Sequence, residues 1–231
     1  MAKGQPLNKK RKRIHRFGEE ASPEPILEPI HNEWLLRSQL GQDRWVAQLF
    51  KRKGYFVEIG AWDGEELSNT FYLEMELKWT GILVEPIQEF WNNCNNCRNC
   101  ICENVAISEK AGLVSFKEDG QSSTIVQEPG DGVITIPAIT LKDLFKKHKA
   151  PTVIDYLSID TGGTELEIIS SFPFKEYSFI ALTIQHNAYM GVKHFRRRVE
   201  MRELLEKNGM SFCRESDCDD FYINKKYIGK L

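Results

Sequence analysis

The chain has 231 residues, 41% of them hydrophobic, enough to bury one full core in a single domain. Its uncharged apolar runs fall short of the ~20 residues that a membrane span requires, and the basic N-terminus lacks an apolar segment of the kind that directs secretion. A membrane partner is therefore not expected, and a cytoplasmic or nuclear location is. The net charge of −2 conceals an asymmetry: seven of the 31 Lys and Arg lie in residues 1–17, which carry no acid, leaving 24 cations against 33 acids in the rest. An acidic body argues against general nucleic-acid binding.

In chain order, Lys9–Arg13 with Arg16 forms a basic tail, readable as a localisation signal, a nucleic-acid arm or a solvated end. Pro23, Pro25 and Pro29 among glutamates mark a connector, so residues 1–30 read as tail and linker and 31–231 as the folded unit. Residues 42–52 predict a helix with Trp45, Leu49 and Phe50 on its apolar side. Alternation follows: strand 55–60, helix 67–77, strand 81–85, helix 87–95, strand 101–107. A β excursion over 112–136 is punctuated by Gly120, Gly130 and Gly132; then come helix 140–148, strand 153–159, helix 164–171 and strand 178–184. This rhythm predicts an α/β fold with a mostly parallel central sheet and helices on both faces. A charged helix over 193–208, stopped by Gly209, and short strands 211–214 and 221–223 predict a terminal antiparallel hairpin.

The most informative stretch is Phe56-Val-Glu-Ile-Gly-Ala-Trp-Asp-Gly64, an apolar strand ending in a glycine turn with two carboxylates and no cation. Glycine-rich phosphate loops present bare amides to anions, and neither G-x-G-x-x-G nor G-x-x-x-x-G-K-[ST] occurs here. Glu58 and Asp63 would repel a pyrophosphate but suit S-adenosylmethionine (SAM), which carries an ammonium and a sulfonium. The next strand, Thr80 to Val84, ends in Glu85, placed to accept hydrogen bonds from ribose hydroxyls. The plainer alternative is that Glu58 and Glu85 merely end strands at a solvated edge.

A second cluster falls at 158–187. Asp160 ends a strand before Gly162 and Gly163, and Gln185-His186-Asn187 follows another, so both should reach the same sheet edge. A hydroxyl acceptor must lose its proton, and His186 is the natural base by intrinsic pKa, with Asp160 orienting it or acting directly. A divalent metal held by Asp160, His186 or Asn187 would do the same work by lowering the hydroxyl's pKa. The sequence leaves base and metal open, and a His-Asn pair capping a strand is the bland alternative.

Cys94, Cys97, Cys100 and Cys102 lie within nine positions, with spacing unlike a standard zinc site; zinc and reduced, partly buried thiols both remain readings. Lys193 and Arg196 to Arg198 open the long helix, as contacts to an acidic substrate or as a solvated face.

Together these pieces resemble the FkbM-family SAM-dependent methyltransferases. The resemblance rests on Ser38-Gln39-x-x-Gln42-Asp43, Phe56 to Gly64, Ser68-Asn-Thr70, Trp79-x-Gly81, Val84-Glu-Pro86, Asn104-x-Ala106, Asp155 to Thr161, Gly163-x-Glu165, His186-Asn187 and Asp219 to Asn224. It implies a Rossmann-like class I methyltransferase and O-methylation of a hydroxyl on a sugar or other small metabolite. The expected cofactor set is Glu58, Gly60, Ala61, Asp63, Gly64, Glu85, Pro86 and Asn104, with Asp160, His186 and Asn187 at the reaction edge. Two departures each delete a carboxylate: Gly162 where the family typically has Glu, and Gln185 where relatives often have Glu. An inactive SAM-binding homologue is thus an alternative, as is an RNA-directed methyltransferase or binder that uses the tail. Loops 117–139 and 186–195 should set the acceptor.

Overall fold

The computed structural model describes residues 30–128 and 130–230; the basic run Lys9–Arg16 and the connector through Pro29 lie outside the described residues. The elements follow as α1 (Gln42–Leu49), β1 (Tyr55–Ile59), α2 (Phe71–Met75), β2 (Thr80–Val84), α3 (Gln88–Cys97), β3 (Ile101–Glu103) and β4 (Ala106–Ile107). After these come β5 (Gly112–Lys117), β6 (Thr124–Val126), β7 (Val133–Ile139), α4 (Leu141–Lys147), β8 (Val153–Ile159), α5 (Glu165–Ser170) and β9 (Ser178–Gln185). The chain closes with α6 (Val192–Lys207), β10 (Met210–Ser216) and β11 (Asp219–Asn224).

The main sheet has seven strands in the order β10-β11-β9-β8-β1-β2-β3. Its five central and edge strands from β9 to β3 run parallel, and β11 and β10 form the antiparallel end. Near-continuous apolar runs such as Ile154 to Ile159 are what strands covered on both faces require. One face packs Val57, Ile59 and Leu157 against Leu144 and Phe145 of α4, Ile168 and Ile169 of α5 and Leu205 of α6. The other packs Phe56 and Leu83 against Trp45 and Val46 of α1, Tyr72 and Leu73 of α2 and Cys94 of α3. Because strand side chains alternate, Glu58 shares this second face with Phe56.

The chain winds outward from β1 through β2 to β3, then crosses to β8 and β9 on the other side of β1. The winding therefore reverses between β1 and β8, and the crevice beyond their carboxyl ends is where such sheets hold ligands.

Two predicted elements differ. The strand expected over 101–107 is split, β3 staying in the main sheet and β4 joining a second sheet of order β4-β7-β5-β6. Asn104 makes the break, its Nδ2 donating to the carbonyls of Glu85 and Pro86 at 3.0 Å each. The helix expected over 67–77 is reduced to α2, because Ser68, Asn69 and Thr70 are spent on the Glu58 carboxylate instead. The second sheet packs its own small core of Ile87, Ala106, Phe116, Ile136 and Ala138 beside the crevice. Among the described residues no helix is long and apolar enough to cross a membrane.

Candidate active site

A cavity of about 310 Å³ opens at the carboxyl ends of β1, β2 and β8, a size within the ~300–1,000 Å³ of small-molecule sites. Among the described residues its ionisable acidic lining is Glu58, Glu66, Glu85 and Asp160, with no Lys, Arg or His. The tips are laced together by backbone bonds: Gly60 and Ala61 amides donate to Val84 O, and the Asp160 amide donates to Ile59 O at 3.0 Å. Gly60 has φ +85°, and a Cβ there would lie 1.8 Å from Asp160 O, so only glycine permits this approach of β1 and β8.

Glu58 forms part of the cavity wall. Its carboxylate accepts from Ser68 Oγ at 2.9 Å, the Asn69 amide at 2.6 Å and Thr70 Oγ1 at 2.5 Å. Burial raises its carboxyl above the usual range, while the Arg98 charge and these hydrogen bonds pull it back. Arg98 itself donates to Glu74, Gly64 O, Ser68 Oγ and Thr70 Oγ1. One buried guanidinium thus ties α2, the glycine turn and the 68–70 segment into a single wall.

Glu85 fixes the turn from the β2 side: Oε2 accepts the Trp62 amide at 3.0 Å and Oε1 the Ile87 amide at 2.9 Å. Burial pushes its carboxyl up to about 7, against the lowering by those two amides. Beside it the lining turns apolar through Pro86, Ile87, Val105, Ile107 and Phe116. Trp62 also lines the cavity and stacks on Phe90 with centroids 3.7 Å apart.

Of the expected cofactor set, Glu58, Gly60, Ala61, Glu85 and Pro86 line the cavity, and Asp63, Gly64 and Asn104 do not. Asp63 Oδ1 caps the amides of Glu65 and Glu66 at 2.9 and 2.7 Å, closing a local turn. Gly64 packs on α3, where an added Cβ would lie 3.0 Å from Cys94 Cα. Asn104 holds the 85–86 backbone, as described above.

At the reaction edge, Asp160 and Asn187 line the cavity and His186 does not. Gln185 and Asn187 line the cavity, Asn187 Nδ2 donating to Gln185 Oε1 at 2.5 Å, while His186 between them turns toward Asp220 of β11. His186 is 4% exposed; its Nδ1 accepts the Ala188 amide at 3.0 Å and its Nε2 stands 3.6 Å from Asp220 Oδ1. Burial drives its pKa down to about 4, against the raising effect of Asp220. Its place outside the cavity lining does not support the expectation of His186 as base.

Asp160 is half-buried, and its side chain makes no hydrogen bond among the described residues. Burial raises its carboxyl well above the ordinary value, and the charges of Asp219, Glu165 and Glu58 add to the effect. Glu165 is engaged: Oε1 accepts from the Thr161 and Gly163 amides, both at 2.9 Å. Asp219, pushed up to about 6 by burial, accepts from Gln42 Nε2 at 2.9 Å. Asp160 is therefore a cavity acid with raised proton affinity.

The basic run divides by position. Arg197 pairs with Glu167 and donates to Gly163 O at 2.8 Å, while Arg198 and Arg202 close on Asp220. Lys193 and Arg196 are exposed. The six cysteines are free thiols, and among the described residues no group of three or more His, Cys, Asp or Glu is placed to hold a metal. Cys94 and Cys97 instead brace the glycine turn, donating to Trp62 O at 3.2 Å and Asp63 O at 3.5 Å.

Further lining comes from Gln39, Gln42, Asn69, Thr164, Tyr189 and the 120–123 loop of the second sheet. No strand-end signal marked Asn69 or Thr164. Gly162, at φ +66°, lies under that loop; a Cβ there would sit 3.1 Å from Ser123 O.

The doubly wound sheet, with an acidic cavity at its switch point, defines an α/β fold with a candidate small-molecule site at the carboxyl ends of its strands. The Methyltransferase FkbM domain matches residues 58–212, and the chain belongs to that family of methyltransferases. The structure of methyltransferase FkbM from Methylobacillus flagellatus KT is similar at 13% identity and TM-score 0.50, over 81% of this chain and 48% of that one. This chain thus spans about half the length of the Methylobacillus protein, and the likeness is one of fold. A precorrin-6y C5,15-methyltransferase from Geobacter metallireducens GS-15 (11% identity, TM-score 0.44) is covered over 82% of this chain and 88% of that one. A SAM-dependent methyltransferase from Aquifex aeolicus (12%, 0.42) is covered over 80% and 89%. No curated protein matches the chain.

Proposed function

We propose that the chain binds SAM in this cavity and methylates a hydroxyl of a sugar or another small metabolite. The observation that carries the reading is the lining among the described residues, four carboxyl groups and no basic side chain, which suits a sulfonium and an ammonium and disfavours a polyphosphate. When bound, SAM supplies a methyl group already activated toward attack, so the protein must chiefly align the partners and exclude water. Glu85 would accept from ribose hydroxyls, and Pro86, Ile87, Ile107 and Phe116 would cover the base. The Gly60-Ala61 backbone would leave room for the sulfur at the β1 tip. Asp160, with no side-chain hydrogen bond among the described residues and with raised proton affinity, would take the proton from the acceptor hydroxyl. Gln185, Asn187, Tyr189 and the 120–123 loop would shape the acceptor side.

A second reading, a SAM-binding homologue with impaired turnover, is favoured by one observation. Gly162 and Gln185, where the resemblance places carboxylates, both line the cavity. Methyl transfer to a panel of sugars and small hydroxylated metabolites tests the two. The first reading expects transfer by the natural chain and a loss of roughly 10²–10⁴ in Asp160→Asn. No transfer by the natural chain, with transfer gained in Gln185→Glu, selects the second. Equal transfer by the natural chain and Asp160→Asn removes Asp160 from the chemistry.

A further inference from the structure

Asn69 follows Ser68 in the segment wrapped around Glu58 and is 5% exposed, yet it lines the cavity. Its backbone amide donates to Glu58 Oε1 at 2.6 Å and its Nδ2 to Ser158 Oγ at 2.9 Å. Its Oδ1 is buried with no hydrogen-bond partner among the described residues. A buried acceptor left unpaired is costly.

Position says what fills it. Glu58 and Ser158 are register partners across β1 and β8, so Asn69, bonded to both, lies beneath the point where the winding reverses. Glu85 and the apolar lining of Ile87, Ile107 and Phe116 lie on the other side of β1, at β2 and the second sheet. A ligand with its base and ribose there extends its remaining group over Asn69. Among the described residues the ionisable side chains on that side, Glu58 and Asp160, are both acids, which favours an ammonium over a carboxylate.

We propose that Asn69 holds the amino-acid end of the methyl donor, its Oδ1 accepting a hydrogen bond from the donor's ammonium. The inference rests on the reading of the cavity as a SAM site.

Calorimetry on the full chain with three probes tests it: S-adenosylhomocysteine, decarboxylated SAM, which keeps the ammonium alone, and 5′-methylthioadenosine, which lacks the amino-acid end. Asn69→Ala is expected to weaken the first two by roughly ten- to hundredfold and the third by no more than about twofold. Asn69→Asp, which keeps an acceptor, is expected to retain S-adenosylhomocysteine within severalfold, and it carries the test should the alanine variant not fold. Equal weakening of all three probes, or of none, overturns the proposal, as does a loss in Asn69→Asp with methylthioadenosine binding intact. A loss confined to S-adenosylhomocysteine overturns the ammonium assignment. No binding of any probe by the folded natural chain removes the SAM reading itself.

Discussion

Arg98 Nε donates to Glu74 Oε2 at 2.5 Å, in a place where the arginine side chain has no exposure. The same guanidinium reaches Gly64 O, Ser68 Oγ and Thr70 Oγ1, so this ion pair, set outside the cavity, holds the wall that positions Glu58 and Asn69. Removing one partner strands the other charge. Arg98→Met is expected to lower unfolding stability by about 3–5 kcal/mol. Urea denaturation checks this, and a change under about 1 kcal/mol would show that the network bears little weight.

Glu85 ties stability to pH. Its carboxyl is raised to about 7, so between its ordinary value and about 7 the folded chain keeps a proton that the unfolded chain releases. Stability therefore falls as pH rises through that window, and Asp219, raised to about 6, adds in the same direction. Glu85→Gln is expected to flatten the fall between pH 5 and 8 by on the order of 2 kcal/mol. Thermal melts across that range read the slope; an unchanged slope contradicts the assignment.

His186 has the opposite sign. With its pKa lowered to about 4, the folded chain refuses a proton that the unfolded chain binds below about 6.5. Stability is lost as pH drops from about 6.5 toward 4. His186→Gln should reduce that acid-side loss and leave no missing limb in a methyl-transfer pH profile. An acid limb near 4 in the natural chain that disappears in the variant would return His186 to the chemistry.

Two glycines differ in what a side chain would meet. A Cβ at Gly60 runs into Asp160 O at 1.8 Å, and one at Gly162 only approaches Ser123 O at 3.1 Å. Gly60→Ala should cost several kcal/mol or prevent folding, whereas Gly162→Ala should cost about 1–2 kcal/mol from its positive φ. Comparable melting temperatures for the two variants would contradict the strand-tip geometry.

The strand rhythm and the acid-ended tips at Glu58, Glu85 and Asp160 were legible in the sequence, because buried parallel strands write themselves as apolar runs that stop at glycine or acid. His186 directly follows the last residue of β9, and its turn toward Asp220 is set by a tertiary contact that the local sequence does not mark. Arg98 was hidden among cysteines and some 30 residues from the loop that it supports; nothing local marks a residue whose partners are all distant. Asp63 and Asn104 looked like ligands because short polar side chains beside a glycine turn serve ligand and backbone alike, and here their bonds go to the backbone. The split of the 101–107 strand followed from a side-chain contact that no local propensity encodes.

The central claim is that the cavity selects for positive charge on an adenosine frame. Calorimetry of the natural chain with SAM and with ATP at neutral pH tests it most directly, since the two share the nucleoside and differ in the sign of what it carries. The account predicts measurable SAM binding, weakened in Glu85→Ala, and no measurable ATP binding. ATP binding as tight as SAM binding, or no SAM binding by folded protein, would contradict it.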